Sequence, residues 1–175
     1  MSTVPIEPTL PLAETDLVFV DVETTGLYPI FGDRIVEVGA LKVRDGQEVG
    51  TFVMFVDPLR PISPGASAVN HITDEMVRGQ PTFPEIGPSF LSFIKDSILV
   101  AHNAPFDLGF LSLELRAAGL PPLSNPIVDT LQIARRYLRF DSHALGYLAD
   151  RFHIDRTEAH RALGDCRTTF RVFQC

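Results

Sequence analysis

The stretch LVFVDVETTGL, residues 17–27, organises the rest of the chain. Its first half is an apolar, β-branched run, which is typical of a buried strand. Asp21 and Glu23 lie two positions apart, so their carboxylates project from the same face of that strand. Two like charges held so close repel each other, and a divalent cation that prefers oxygen ligands, Mg²⁺ or Mn²⁺, relieves the repulsion. One buried acid beside one solvated acid at a strand end is the alternative, and this spacing leaves it open.

The composition predicts a single cytoplasmic domain over residues 17–175. A hydrophobic fraction of 45% and a mean hydropathy of +0.14 exclude a disordered chain, and no apolar run is long enough to cross a membrane. Residues 1–16 are rich in proline and contain no lysine or arginine, which predicts a flexible leader rather than a signal peptide. Cys166 and Cys175 offer neither a disulfide framework nor a zinc-binding spacing.

The charge of the chain is distributed unevenly. A net charge of −7 argues against a protein that coats nucleic acid by bulk electrostatics, but it allows an enzyme that grips a few nucleotides. Arginines concentrate in the C-terminal third, at positions 135, 136, 139, 151, 156, 161, 167 and 171. They form either solvated helix faces or a rim that faces phosphate groups, and the sequence leaves both open.

The pattern beyond the first strand predicts an α/β fold. Strands over residues 35–43 and 50–56, joined by the turn signal Asp45-Gly46, form an antiparallel meander with the first strand. Two shorter strands follow, over residues 98–101 and 125–128, and the first of these suits a parallel, central position. Helices are expected over residues 84–95, 104–118, 130–138, 143–152 and 159–175. The expected architecture is a five-stranded mixed sheet, three strands antiparallel and then two parallel, flanked by helices.

Three further side chains occupy positions suited to chemistry. Asp107 opens the helix after the strand at 98–101, at the sheet edge where ligands of open α/β sheets gather, although it also suits compensation of the helix dipole. Asp165 lies among small and apolar residues of the last helix, and a solvated acid is the alternative. His160 precedes it by five residues, so we expect His160 at the start of that helix or on the loop before it. A surface histidine is the alternative.

With these five groups, the chain resembles the DnaQ-like, or DEDDh, family of 3′–5′ exonucleases, which has a ribonuclease H-like fold. The matching motifs are DVETTGL at 21–27, HNAPFD at 102–107 and HRALGD at 160–165. Each motif alone is moderately specific, whereas all three in this order and spacing are highly specific. The resemblance extends from residue 16 to residue 174. Within the family, the similarity is greatest to the proofreading exonucleases of bacterial DNA polymerase III.

The resemblance implies a two-metal site for phosphodiester hydrolysis. Asp21, Glu23 and Asp165 would hold the first Mg²⁺ or Mn²⁺ ion. Asp21 would bridge to the second ion, on which Asp107 would also act. His160 would be the general base that takes a proton from the attacking water, a role that suits an imidazole with an unperturbed pKa near 6.5.

The resemblance also implies a set of substrate-binding residues at the 3′-terminal nucleotide. Gly26 would permit close approach of the backbone, and Leu27 would wedge against the terminal base. Phe106 would stack on a base, with core packing as the equal alternative. The full expected set is Thr24, Thr25, Gly26, Leu27, His102, Asn103 and Phe106.

The expected function is metal-dependent 3′–5′ hydrolysis of single-stranded DNA ends, with proofreading during replication as the role and a DNA polymerase subunit as a partner. An exoribonuclease for RNA maturation or oligonucleotide turnover is the alternative on the same fold. A non-catalytic nucleic-acid-binding or scaffold module is the alternative of another class. His160 argues against the latter, because a pure binder has no use for a general base.

One position departs from the family pattern. The segment AVNHIT, residues 68–73, carries His71 where the family usually has glycine. This histidine either reaches the nucleotide site or lies on the surface, and we favour the surface. The departure affects none of the expected catalytic residues.

Overall fold

The computed structural model describes residues 15–175, so residues 1–14 of the expected leader lie outside the described residues. Five strands form one sheet: β1 (Leu17–Thr24), β2 (Ile35–Arg44), β3 (Gln47–Phe55), β4 (Ile98–Ala101) and β5 (Ile127–Asp129). Seven helices surround it: α1 (Pro64–Asn70), α2 (Asp74–Val77), α3 (Phe83–Ile94), α4 (Ala104–Ala117), α5 (Thr130–Tyr137), α6 (Leu145–Arg151) and α7 (Ala162–Phe173). A single 3₁₀ turn spans Pro29–Phe31. No helix among the described residues is both long and apolar enough to cross a membrane.

The strand order β3-β2-β1-β4-β5 confirms the expected mixed sheet. The first three strands pair antiparallel, and β4 and β5 continue the sheet in parallel with β1. Asp45 and Gly46 both have positive φ, at 52° and 71°, which is the backbone that a tight hairpin turn between β2 and β3 requires. Because the turn is this tight, β3 begins at Gln47, three residues earlier than predicted.

The two faces of β1 pack against different helices. Val18, Val20 and Val22 belong to a core shared with α3 and α4. Phe19 points to the opposite face, where its ring centroid lies 5.2 Å from that of Phe170 on α7. Since side chains alternate along a strand, Asp21 and Glu23 continue the Phe19 series and project towards α7. The β1–α7 packing therefore brings the first and third motifs together.

The parallel strand β4 is shorter than β1, and this difference opens the site. β4 pairs with β1 only through Leu17, Val18 and Phe19. Beyond Phe19, one edge of β1 extends past the end of β4 and exposes its backbone groups. Such groups need other partners when they are buried. The acidic residues of β1 lie along this unpaired edge, at the carboxyl ends of the two parallel strands.

Several further helix and strand limits differ from the sequence-based predictions. The helix expected from residue 159 begins at Ala162, because His160 has a left-handed φ of 63° and Arg161 is extended. The helix expected from residue 143 begins at Leu145, after an extended Ala144. The last strand runs over residues 127–129 instead of 125–128, and α1 lies in a segment expected to contain mostly loop. Asn103, which precedes α4, has a left-handed φ of 72°, and its side chain makes no capping bond.

Candidate active site

Three of the five expected catalytic groups form one cluster. One carboxylate oxygen from each of Asp21, Glu23 and Asp165 lies within 4.8 Å of the other two. β1 supplies the first two through its alternation, and the first turn of α7 supplies the third. The side-by-side arrangement predicted for the two acids of β1 is therefore present, and Asp165 faces them.

Asp107 lies beside this cluster but is held differently. It stands in the first turn of α4, is buried, and accepts a 3.0 Å hydrogen bond from the backbone N–H of Val22 through its Oδ1. This bond pairs a donor on the edge of β1 that β4 leaves free. The alternative that Asp107 merely compensates a helix dipole leaves this long-range contact unexplained.

His160 lies on the turn before α7, as predicted from its spacing to Asp165. Its backbone N–H donates a 3.2 Å hydrogen bond to Oδ2 of Asp165, and the residue is exposed. The five-residue spacing thus becomes a turn that closes on the helix, with the histidine outside and the aspartate inside. An imidazole at this position reaches solvent and the edge of the carboxylate cluster.

The electrostatics of the four carboxylates fit a divalent cation. Burial, together with the charges of Asp107 and Asp165, raises the pKa of Asp21 well above its ordinary value. Burial is also the largest cause that raises the pKa of Glu23, to about 8, and that of Asp107, to about 7. The pKa of Asp165 is raised by burial, against an opposing effect of His160. The raised pKa values mean that the four carboxylates ionise with difficulty while no cation is bound. Their oxygen atoms are the hard ligands that Mg²⁺ and similar ions prefer, and such an ion would stabilise the charged forms.

A cavity of ≈ 660 Å³ opens beside the carboxylates and is lined by Asp21, Glu23 and Asp107. We call it the active-site pocket. Gly26 and Leu27 line its wall, and Leu27 is 66% exposed, which leaves its side chain free to contact a ligand. A Cβ at Gly26 would collide with the carboxylate of Asp33, so this close approach requires glycine.

The threonines of the first motif support the pocket from within. Thr24 and Thr25 are buried, and their hydroxyl groups donate to the carbonyl of Gly26 at 2.6 Å and to Oδ1 of Asp33 at 3.0 Å. Of these two, Thr24 lines the pocket and Thr25 does not. Thr25 holds the loop that follows β1.

The second motif forms the opposite wall. His102, Asn103 and Phe106 all line the active-site pocket. Phe106 also packs on Phe110, with ring centroids 5.1 Å apart, so the structure combines the two alternatives considered for it. Both ring nitrogens of His102 are engaged, one with Oγ1 of Thr130 and one with a backbone carbonyl, each at 2.9 Å. His102 is therefore a rigid part of the wall.

Sequence reasoning missed an ion pair with a buried carboxylate that anchors the third motif. The Glu37 carboxylate of β2 accepts two hydrogen bonds from the Arg161 guanidinium, at 2.6 and 3.1 Å, and a third from the backbone N–H of Ala162 at 3.0 Å. Glu37 is 1% exposed. A glutamate in the middle of an apolar strand is the one signal that could have pointed to it.

Asn70 is a second residue that sequence reasoning missed. It is buried at the end of α1, donates to the carbonyl of Thr24 at 3.4 Å, and lines the active-site pocket. Its side chain also bonds the Glu23 carboxyl, which opposes the rise in that group's pKa. The signal in the sequence that could have pointed to Asn70 is its position in the segment AVNHIT, residues 68–73, which resembles the family.

Residues 18–173 match the model of the RNase_T family, described as exonuclease. The chain belongs to the RNase_T exonuclease family. This match includes all three motifs and confirms the resemblance drawn from them. The enzyme class is therefore that of a hydrolase, and the alternative of a non-catalytic module loses its support.

Curated relatives of this RNase_T domain include PolC-type DNA polymerase III. The polymerase of Halalkalibacterium halodurans is 39% identical over 164 residues, which cover 93% of this chain and 11% of the relative. That of Thermotoga petrophila is 39% identical over 156 residues, with 89% and 11% covered. The chain thus spans about a tenth of the length of the curated relatives it matches.

Two solved structures resemble the RNase_T domain in different degrees. Exonuclease X, solved in complex with 5′ overhanging duplex DNA, is 30% identical with a TM-score of 0.72, and the alignment covers 90% of this chain and 88% of that one. Exonuclease I of E. coli, in complex with a dT13 oligonucleotide, has a TM-score of 0.82 at 19% identity, with 92% and 40% covered. The second likeness shows a shared fold.

His71 lies on the surface, as we expected. It ends α1 with a left-handed φ of 59°, is exposed, and does not line the active-site pocket. A left-handed residue at a helix end is the position that favours glycine, so the backbone explains why the family usually has glycine there.

Proposed function

We propose that this domain removes nucleotides from the 3′ end of single-stranded DNA, with two Mg²⁺ or Mn²⁺ ions, and that it proofreads within a bacterial replicative polymerase. The observation that carries this proposal is the Asp21–Glu23–Asp165 cluster beside a pocket with an exposed apolar wall, in a chain of the exonuclease family. The cluster supplies the ligands for a cation. The pocket accommodates a terminal nucleotide next to it.

The four carboxylates hold the cations in this proposal. Asp21, Glu23 and Asp165 hold the first, because their oxygens already converge, and Asp107 contributes to the second from beside the cluster, at the edge of β1. When bound, the ions neutralise charge on the phosphodiester and favour ionisation of the attacking water. Burial of the carboxylates favours cation binding, because a bound cation is needed to stabilise their charged forms.

His160 takes the proton from the attacking water. Its place on the turn that precedes Asp165 puts the imidazole at the rim of the carboxylate cluster, where the ring reaches solvent. A neutral imidazole accepts a proton near pH 7, and positioned general bases of this kind contribute about 10²- to 10⁴-fold to a rate. The exposed side allows the ring to release the proton to bulk water.

The first motif grips the terminal nucleotide without reading its sequence. Leu27 packs on the face of the terminal base, Gly26 lets the backbone approach the sugar, and Phe106 contacts the base from the other wall. Apolar stacking and backbone contacts tolerate every base, which suits removal of any terminal nucleotide. His102 and Asn103 complete the wall on the side of α4.

The relatives support the DNA substrate and the polymerase context. PolC-type polymerases contain a region that resembles nearly the whole described chain, and exonuclease X was solved with a DNA duplex. A cytoplasmic location, expected from the sequence, agrees with replication and belongs to the same proposal.

The test uses one 5′-labelled oligonucleotide sequence in four forms: single-stranded DNA, the same DNA annealed with a matched terminus, the same DNA annealed with a terminal mismatch, and RNA of the same sequence. We expect a ladder that shortens from the 3′ end, faster on mismatched than on matched ends and slow on RNA. EDTA stops the reaction, and Mg²⁺ or Mn²⁺ restores it. Shortening from the 5′ end, or cleavage that persists after thorough chelation, would contradict the proposal.

A matched pair of variants separates the site from general damage. Asp165→Asn should abolish cleavage, because it removes a carboxylate from the cluster. Asp96→Asn should keep wild-type cleavage, because Asp96 is exposed and precedes β4, at the end of that strand opposite the site. Wild-type activity in Asp165→Asn would refute the assignment of the cation site.

A further inference from the structure

A second cavity lies next to the active-site pocket and has no role in the chemistry described above. It has a volume of ≈ 610 Å³ and lies between α5 and α6; we call it the α5–α6 cavity. His102 and Asn103 line both cavities, so the two spaces adjoin across the start of α4. The remaining polar lining consists of Arg135, Asp141, Ser142 and His143.

The partition between the two cavities is rigid. The His102 ring is tied at one nitrogen to Thr130 of α5 and at the other to the carbonyl of His143, both at 2.9 Å. The backbone N–H of Asn103 donates to Oδ1 of Asp129 at 3.2 Å. These bonds anchor the partition to the segment that carries the α5–α6 cavity. The active-site pocket and the α5–α6 cavity are therefore held at a fixed distance from each other, and a ligand that occupies both contacts them at that distance.

Arg135 distinguishes this cavity from the rest of the arginine-rich C-terminal third. Arg156, Arg161 and Arg167 each form an ion pair with a carboxylate. Arg135 is exposed and forms no ion pair with any residue that the structure describes. Its guanidinium group presents a planar fork of donors that matches a phosphate group. Among the described residues, ion pairs are also absent at Arg136, Arg139, Arg151 and Arg171, but of the arginines in this third only Arg135 lines the α5–α6 cavity. The sequence left open whether these arginines are solvated or face phosphate, and its place in the cavity makes Arg135 the candidate for the second possibility.

We propose that the α5–α6 cavity is a subsite for the sugar–phosphate backbone of the strand, with the Arg135 guanidinium binding a phosphodiester on the 5′ side of the scissile bond. The inference rests on the proposed function, since it needs a 3′ end in the active-site pocket. When the 3′-terminal nucleotide occupies that pocket, the upstream part of the strand has to lie outside it. The α5–α6 cavity adjoins the pocket across the two shared residues and is in a position to receive that part.

The chemistry of the lining suits an anionic chain. The Ser142 hydroxyl oxygen accepts from the N–H of Ala144 at 3.3 Å, so its proton is free to donate to a phosphate oxygen. Asp141 is the one acid among the described residues that line the cavity, and it opposes an anion there. Removal of the Arg135 charge should therefore weaken binding of the strand, and removal of the Asp141 charge should strengthen it.

The experiment compares two substrates. One is the p-nitrophenyl ester of thymidine 5′-monophosphate, which has no upstream strand, and the other is a single-stranded DNA decamer. For Arg135→Ala, the ratio of kcat/KM on the decamer to kcat/KM on the ester should fall about fivefold. The slope of log KM against log salt concentration on the decamer should fall in magnitude by about 0.7, the value for one phosphate contact on a single strand.

Two further variants complete the design. Asp141→Asn should raise the same ratio, because it removes the opposing charge. Arg139→Ala should keep it within about twofold, because Arg139 is exposed but does not line the cavity. An unchanged ratio in Arg135→Ala, or an equal fall in Arg135→Ala and Arg139→Ala, overturns the subsite.

Binding separates this inference from the proposed function. If the wild-type protein cleaves neither substrate, the proposed function fails, and fluorescence anisotropy of the labelled decamer in EDTA then decides the subsite. Weaker binding in Arg135→Ala than in Arg139→Ala supports it. Equal binding in the two variants overturns it.

Discussion

The Glu23 side chain is placed where its charge is costly. It is largely buried, it faces Asp165, and these two effects raise its pKa from 4.5 to about 8. In the folded, metal-free protein the carboxyl keeps its proton over a range in which the unfolded chain has released it. The native state then binds more protons than the unfolded state, so the free energy of unfolding falls as the pH rises between those two values.

Replacing Glu23 with glutamine should therefore stabilise the metal-free protein, and more so at high pH. In EDTA, we expect Glu23→Gln to exceed wild type in free energy of unfolding at pH 8, and the advantage to shrink by on the order of 2 kcal/mol at pH 5. Urea denaturation at the two pH values measures this. Glu75→Gln, at an exposed position of α2, is the matched control and should show no pH-dependent advantage. An advantage that is constant with pH would show that ionisation of Glu23 is not its cause.

The role of His160 has an equally local test. His160→Ala should lower kcat about 10²- to 10⁴-fold, because the variant lacks the group that takes the proton. Its affinity for Mn²⁺, measured by electron paramagnetic resonance, should stay near wild type, because the carboxylate cluster is intact. His153 is also an exposed histidine with positive φ, at 56°, so His153→Ala controls for backbone effects. Equal rates in the two variants would remove His160 from the mechanism.

At the scale of elements, α7 is held in place at its first residue. The Glu37 carboxylate of β2 binds both the Arg161 guanidinium and the N–H of Ala162, and a Cβ at Gly39 would collide with Ala162. Arg161 also lies over the Phe55 ring, 5.0 Å from its centroid. The start of α7 is thus held against β2 by charge, hydrogen bonds and close packing. His160 and Asp165 lie on either side of this anchor.

Removal of the anchor should cost more than removal of an ordinary surface pair. Arg161→Met should lower the free energy of unfolding by about 2 kcal/mol, because it leaves a buried carboxylate with less compensation. Arg167→Met is the matched control on the same helix. Its partners Glu158 and Glu48, at 3.2 and 3.5 Å, are both exposed, and such pairs contribute about 0–1 kcal/mol each. Chemical denaturation distinguishes the two, and equal losses would show that Glu37 does not need Arg161.

At the scale of the whole molecule, a bound cation should tie β1 to α7. We expect Mg²⁺ to raise the melting temperature, with a gain of about 2.7 kcal/mol at a concentration one hundred times the Kd. The increase in melting temperature should be larger at pH 8 than at pH 6. At pH 6 protons compete with the cation for the carboxyls of Glu23 and Asp107, whose pKa values are raised, and at pH 8 this competition is weaker. Scanning calorimetry measures the shift. A shift of the same size in Asp165→Asn would place the cation elsewhere.

The sequence was sufficient for the mixed five-stranded sheet and, through the resemblance of its motifs, for the convergence of Asp21, Glu23 and Asp165. Alternation put Asp21 and Glu23 on one face, and the spacing of His160 and Asp165 required a turn before the helix. It was insufficient where distant residues decide the outcome. The pairing of Glu37 with Arg161 depends on β2 and α7 meeting in three dimensions, and no local pattern encodes that.

Local conformation set a second limit on prediction. The helix propensity of residues 159–161 favours helix, but the left-handed φ of His160 delays α7 to Ala162. Asn103 has a good capping side chain and still adopts a left-handed backbone, because its N–H is drawn to Asp129. At Asn103 a tertiary contact overrides the local preference, whereas at His160 the backbone N–H bonds Asp165 of the following helix turn.

The packing of α7 on β1 has a consequence for the order of events in folding. Asp21 and Asp165 come from the first strand and the last helix of the described chain, so the site depends on a contact of very long sequence separation. Contacts of this kind form late, because closure of a long loop costs conformational entropy before the packing contacts offset that cost in free energy. A chain still emerging from the ribosome therefore carries its acids apart. The carboxylate cluster can assemble only when synthesis has delivered α7, so a partly made chain lacks the complete cation site of the proposed activity.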